Sequence, residues 1–129
     1  MSDGGAKGLA LLVWSCDLGR PELLATPFMA AQAAAALDMP VKMLFSSQSV
    51  GWLLADNAGL PTGFGHDRRT IARHLSASAD LGVEIRACTQ ALHAIGANAG
   101  ALAPQCAGVE GMVSFIEQGS APGWQMLVF

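Results

Sequence analysis

Gly82-Val83-Glu84-Ile85-Arg86-Ala87-Cys88-Thr89-Gln90-Ala91-Leu92-His93-Ala94-Ile95-Gly96 changes its periodicity midway, and that change decides the fold class. Val83, Ile85 and Ala87 alternate with Glu84 and Arg86 in the period of two that a strand requires, so a strand is expected to end at Ala87 or Cys88. Beyond it, Ala91, Leu92 and Ile95 form a helical stripe, Thr89 is placed to cap it, and Gly96 offers the left-handed stop. Cys88 therefore stands at a strand-to-helix join. A thiol there meets the positive end of a helix dipole, which favours thiolate and makes the sulfur nucleophilic. Position alone favours an inert packing role, because cysteine is among the most buried residue types.

Working outward toward the N-terminus, two more strands are expected. Leu9-Ala10-Leu11-Leu12-Val13-Trp14 is an almost unbroken apolar run, the pattern of a central strand covered on both faces, and Pro40-Val41-Lys42-Met43-Leu44-Phe45 is a second. Between them residues 22–37 are rich in alanine and leucine and nearly free of charge, which predicts a buried helix with Pro27 bending it or marking its regular start. Ser46-Ser47-Gln48-Ser49 follows the second strand and leads into a short helical segment, residues 50–55. The glycine-rich loop of residues 57–66 precedes a helix that Asp67 could cap and that places Ile71, Leu75 and Ala79 one turn apart. Toward the C-terminus a short strand is expected near Leu102 or Val109. A helix is predicted over residues 111–118, and Trp124-Gln125-Met126-Leu127-Val128-Phe129 closes the chain as a strand. Alternating strands and helices over 129 residues predict one domain, residues 1–129, built as a three-layer α/β/α sandwich on a mostly parallel five-stranded sheet.

Composition narrows the function. Charged residues make up 13% of the chain and hydrophobic ones 52%, sparse surface charge that points to apolar surface covered by other copies, a homo-oligomer. The net charge of -3 and the absence of a basic patch beyond Arg68, Arg69 and Arg73, read as a solvated helix face, argue against nucleic-acid binding. The uncharged run from Ala87 to Val109 is broken by Gln90, His93, Gly96, Asn98, Gly100, Pro104 and Gln105, so no membrane span is expected. Three cysteines cannot all pair within one chain, and Met1-Ser2-Asp3-Gly4-Gly5 lacks the regions of a signal peptide, so a cytoplasmic location is the expectation.

In a parallel sheet the loops at the carboxyl ends of the strands line the ligand crevice, which should bring Cys16, Ser46, Ser47, Cys88 and Thr89 to one edge. No cysteine pair has the close spacing of a structural zinc site, and no metal is expected. Neither the dinucleotide fingerprint nor the phosphate-loop lysine is present, so no cofactor is expected. His66, His74 and His93 read as surface histidines, none spaced to serve Cys88 as a base.

Three stretches resemble the DsrE/DsrF-like family of sulfur-relay proteins. One is Lys42-Met43-Leu44-Phe45-Ser46-Ser47-Gln48-Ser49-Val50-Gly51-Trp52-Leu53-Leu54, another is Val83-Glu84-Ile85-Arg86-Ala87-Cys88-Thr89-Gln90-Ala91-Leu92, and the third runs from Cys106 to Ile116 together with the closing strand ending in Phe129. The family's glycine-proline loop after the first strand is replaced by Cys16-Asp17-Leu18-Gly19. The resemblance implies that Cys88 carries sulfane sulfur as a persulfide and passes it to a partner thiol, as a sulfurtransferase-like carrier. It also implies trimeric or hexameric homo-oligomers working with sulfur donor and acceptor proteins. A non-catalytic subunit of such an assembly, or a thiol redox sensor using Cys16 as the second thiol, are the alternatives.

Overall fold

A computed structural model describes residues 7–129; the leader reading of residues 1–5 falls outside them. Five strands form one sheet in the order β4-β3-β2-β1-β5. They are β1 (Gly8–Val13), β2 (Val41–Phe45), β3 (Glu84–Cys88), β4 (Gly108–Glu110) and β5 (Trp124–Val128), and every neighbouring pair is parallel. The expected parallel α/β/α sandwich is thus what the chain forms. β2 is buried at all of its positions, Lys42 included, while the edge strands β4 and β5 are only partly covered. Continuous apolar runs occupy the middle of a parallel sheet because both faces there are covered.

The helices are α1 (Ala25–Ala36), α2 (Ile71–Asp80), α3 (Thr89–Ala94) and α4 (Met112–Gly119). Pro27 lies in the first turn of α1, where a missing N–H leaves no intrahelical bond unmade, so it marks the helix start without kinking it. Thr70 caps α2 by accepting from the Arg73 amide at 3.3 Å; the expected cap, Asp67, is exposed and lies 3.9 Å from Arg69 instead. The stretch after Ser46 is a tight 3-10 helix, Ser47–Leu53, that turns Ser49, Val50, Trp52 and Leu53 inward. Of the two places considered for a late strand, Gly108–Glu110 forms one, and Leu102 makes a single antiparallel bridge to Leu54.

Strand alternation sorts the core into two unequal clusters. Leu9, Leu11, Val13, Val41, Met43, Phe45, Val83, Ile85 and Ala87 face α1, α2 and the 3-10 helix, with Phe28 and Phe45 rings 5.7 Å apart. Ala10, Leu44 and Cys88 face the other way, toward Phe115 of α4, with Leu12, Met112, Trp124 and Met126 around them. Gly119 lets α4 lie this close: a Cβ there would sit 2.5 Å from Met126 Cε and 3.1 Å from Ala10 Cβ. His74, read from sequence as a surface residue, is buried and stacks on Phe28 at 5.1 Å. The α2 stripe of Ile71, Leu75 and Ser78 includes position 74, so the helix turns that ring inward with its neighbours.

Candidate functional site

Cys88 ends β3 and is the N-cap residue of α3. Its side chain makes no capping hydrogen bond, α3 has only 6 residues, and Thr89 is the first helical residue and not the cap. The dipole contribution expected at this join is correspondingly small, since a helix this short aligns few peptide units. Cys88 is 4% exposed, held among Ala10, Leu44, Ala91, Met112 and Phe115 on the α4 face.

Directly beside it in the β3–β4 register stands Glu110. This carboxylate belongs to a charged group that interrupts the α4 face. Lys42 Nζ lies 2.8 Å from Glu110 Oε2 and 3.8 Å from Glu84 Oε2, also donates to Gln118 Oε1, and sits 5.9 Å from the centre of the Phe115 ring. Arg86 Nε donates to Glu84 Oε2 at 2.6 Å, Arg86 Nη1 contacts the Ala107 and Val109 carbonyls at 3.3 Å, and Ser114 Oγ donates to Glu110 Oε2 at 2.8 Å. Lys42, Glu84, Arg86, Val109, Glu110, Gly111 and Ser114 line a cavity of about 380 Å³. Within it Glu110 is exceptional. Its side chain is 8% exposed and its Oε1 is buried with no hydrogen-bond partner, Arg86 Nε lying 4.0 Å from it.

The remaining predicted site residues are dispersed. Cys16 is buried in the other cluster, against α1: its amide donates to Ser49 Oγ at 2.9 Å, its carbonyl accepts from Trp52 Nε1 at 2.7 Å, and its Sγ lies 3.7 Å from the Leu23 carbonyl. Burial pushes this thiol up from its ordinary pKa, against smaller opposing contributions from Ser15 and Arg20. Cys16 and Cys88 both follow the carboxyl ends of strands, but on opposite faces and from strands separated by β2. Ser49, and neither Ser46 nor Ser47, is the serine turned toward Cys16. Ser46 is half-buried and its amide donates to the Val13 carbonyl at 2.8 Å; Ser47 is exposed at a φ of 52°. Thr89 is exposed and lines a separate hollow with Leu92, His93 and Ala97. Cys106 is half-buried, and burial pushes its thiol up to about 11.

Sequence reasoning passed over Lys42 and Glu110. The signal was present: Lys42 is the one charge in a strand otherwise apolar, and a cation there must be paired if the strand is buried. Glu110 could not be assigned as its partner without the β3–β4 register.

The fold is that of a parallel five-stranded α/β/α protein, and solved structures share it. The ychN protein from E. coli superposes with a TM-score of 0.72 at 16% identity, covering 95% of this chain and 99% of that one. MTH1491 from Methanobacterium thermoautotrophicum, described as of unknown function, gives 0.68 at 19% identity with 94% and 97% covered. BT1422 from Bacteroides thetaiotaomicron, described likewise, gives 0.68 at 14% identity with 99% and 100% covered. At such identities the likeness establishes the fold alone. No family model and no curated protein matches the chain.

Proposed function

We propose that the protein is a DsrE/DsrF-like sulfur carrier that holds sulfane sulfur as a persulfide on Cys88. The observation that carries this reading is the position of Cys88 at the carboxyl end of β3, on the face that only α4 and the start of α3 cover, beside a polar cavity. The sequence resemblance around Cys88 adds to it. In the loading step the Cys88 thiolate attacks the outer sulfur of a hydropersulfide R–S–SH; the new S–S bond forms as the old one breaks, giving Cys88–S–SH and releasing RS⁻. In discharge an acceptor thiolate attacks that outer sulfur and Cys88 leaves as thiolate. Met112 and Phe115 cover the sulfur, so both steps require the first turn of α4 to move aside. The burial of Cys88 favours one second reading, a non-catalytic subunit. A redox couple with Cys16 is not proposed, because the two thiols lie on opposite faces of the sheet.

The carrier is further proposed to be a cytoplasmic homo-oligomer, trimer or hexamer, working with donor and acceptor proteins. Val113 at 85% exposure, Ile116 on the same helix and Val128 on β5 give that face the apolar surface a second copy would cover. Among the described residues no helix is long and apolar enough to cross a membrane. Polysulfide treatment followed by peptide mass spectrometry is the test: added sulfur on the Cys88 peptide supports the carrier, and its absence at saturating polysulfide leaves the subunit reading.

A further inference from the structure

The two edges of the sheet differ in how they are protected. An edge strand presents unpaired backbone donors and acceptors to any extended chain, and natural proteins blunt it with shortness, charge, proline or cover. β4 is 3 residues long, ends on Glu110, and has Arg86 Nη1 reaching its Val109 carbonyl. β5 carries none of these devices: Trp124-Gln125-Met126-Leu127-Val128-Phe129 has no charge, no proline and no glycine, and among the described residues no strand pairs with its outer side. Three bonds fix which backbone groups look outward. The Gly8 amide donates to the Gly123 carbonyl, and Phe129 donates to the Leu12 carbonyl while accepting from the Trp14 amide, so the odd-numbered residues here turn their N–H and C=O toward β1. These directions alternate along a strand, so Trp124, Met126 and Val128 turn theirs away from β1. The Trp124 N–H is taken by the Ala121 carbonyl; those of Met126 and Val128 have no strand to meet.

This outward set is symmetric about Met126, and that symmetry selects the occupant. A two-fold axis at Met126 sets β5 antiparallel to its own copy, with Met126 exchanging both bonds with Met126 and each Val128 N–H meeting the Trp124 carbonyl opposite. No like charges meet in such a pairing, since the strand has none. The side chains agree. Trp124 and Met126 belong to the cluster under α4, so alternation puts the exposed Val128 on the α4 face. α4 rests on β1 and β5, with Gly119 against Ala10 and Met126. Its Ser114 and Gln118 turn toward Glu110 and Lys42, so the exposed Val113 and Ile116 flank the opposite side, toward the β5 edge. We infer that β5 is the contact between two copies of this chain, pairing antiparallel about Met126 so that one sheet runs through both and the Val113, Ile116 and Val128 surfaces close over each other. This contact rests on the homo-oligomer reading and not on the sulfur chemistry, and it narrows that reading: a two-fold contact builds a dimer or a hexamer and no isolated trimer.

The test is the mass of the full chain by light scattering. Val128→Pro removes only an outward N–H, which an edge strand tolerates, and is expected to halve the mass, dimer to monomer or hexamer to trimer, with the circular dichroism spectrum unchanged. Val128→Asp, for use should the proline variant not fold, puts a carboxylate into the same apolar contact and should halve it too. Met126→Cys brings two sulfurs onto the axis, where paired Cα atoms about 5.5 Å apart fall within disulfide reach, so mild oxidation should yield a reducible covalent dimer that Val109→Cys on the β4 edge does not. A folded, monomeric wild type removes the oligomer reading and this contact together. A wild-type trimer, an assembly whose mass both Val128 variants leave unchanged, or oxidation that links Val109→Cys as readily as Met126→Cys overturns the β5 contact alone and leaves the edge to an extended segment of another protein.

Discussion

The two faces of the sheet are built to different standards. Against one lie a 12-residue helix, a 10-residue helix and a buried 3-10 helix, and the cluster they close is apolar almost throughout. Against the other lie an 8-residue helix and the start of a 6-residue one, and the space they leave is occupied by Lys42, Glu84, Arg86 and Glu110. Stability is concentrated on the first face. On the second, among the described residues, a thiol, a buried carboxylate and a paired ammonium share one face. A pair of substitutions puts that division to its hardest test. Cys88→Ser should abolish polysulfide loading at this position while leaving the unfolding transition almost unchanged. Phe28→Ala, which empties a fully buried ring from the first face, should lower stability by about 3–5 kcal/mol and leave loading per folded molecule intact. Mass spectrometry and denaturant titration on the same samples check both, and loading that survives in Cys88→Ser would break the comparison.

The ion pair gives a sharper probe of the second face. Lys42→Met leaves the Glu110 charge buried without its main partner and should cost about 3–5 kcal/mol, whereas the double variant Lys42→Met/Glu110→Leu removes both charges and should recover most of that loss. A double variant as unstable as the single one would show that packing against Phe115 and Gln118, and not charge pairing, is what Lys42 supplies.

This asymmetry also explains what could be read in advance. The strands at residues 8–13, 41–45 and 84–88 are long enough for their patterns to stand out, and the parallel sandwich follows from their alternation with helices. β4 is only Gly108-Val109-Glu110, too short to carry a period of two, so its place beside β3 was not legible and neither was the contact of Glu110 with Lys42. Cys88 was legible as a strand end, but its face was not used to separate it from Cys16. Ser46, Ser47 and Thr89 are grouped with them by connection order, which fixes the sheet edge and leaves the face open. His74 was misplaced because the α2 stripe was counted as Ile71, Leu75 and Ala79, while the observed buried stripe runs through 71, 74, 75 and 78.

His74 offers a smaller effect on the first face, one that depends on pH. Burial first, and then the charges of Arg69 and Arg73 against that of Asp67, lowers its pKa, and its Nδ1 is buried without a partner. The folded chain therefore resists protonation that the unfolded chain accepts at about 6.5. More protons on the unfolded state means that stability is fully present above that value and declines as pH falls through it, down to the folded-state pKa. Thermal unfolding at pH 7.5 and 5.5 should show this loss, and His74→Leu should reduce it; an equal slope in the variant would assign the pH dependence to other groups.

The smallest effects are expected at the two remaining thiols. Both belong to the first face, Cys16 within its buried cluster and Cys106 packed at its margin, and burial raises the pKa of each. With Cys106 pushed up to about 11, its thiolate fraction at pH 8 is on the order of one in a thousand, too little for a competitive nucleophile. Cys106→Ser should leave sulfur loading unchanged. Cys16 is expected from the sequence to share an edge with Cys88; from the opposite face it has no path to the sulfur. Its bonds to Ser49 and Trp52 are made by its backbone, and a serine hydroxyl can take over the contact of Sγ with the Leu23 carbonyl. Cys16→Ser should therefore match wild type in both uptake and release, measured as the time course of the persulfide mass on the Cys88 peptide. A change in release alone would mean that the two faces communicate through β2, whose side chains alternate between the cluster of Cys16 and that of Cys88.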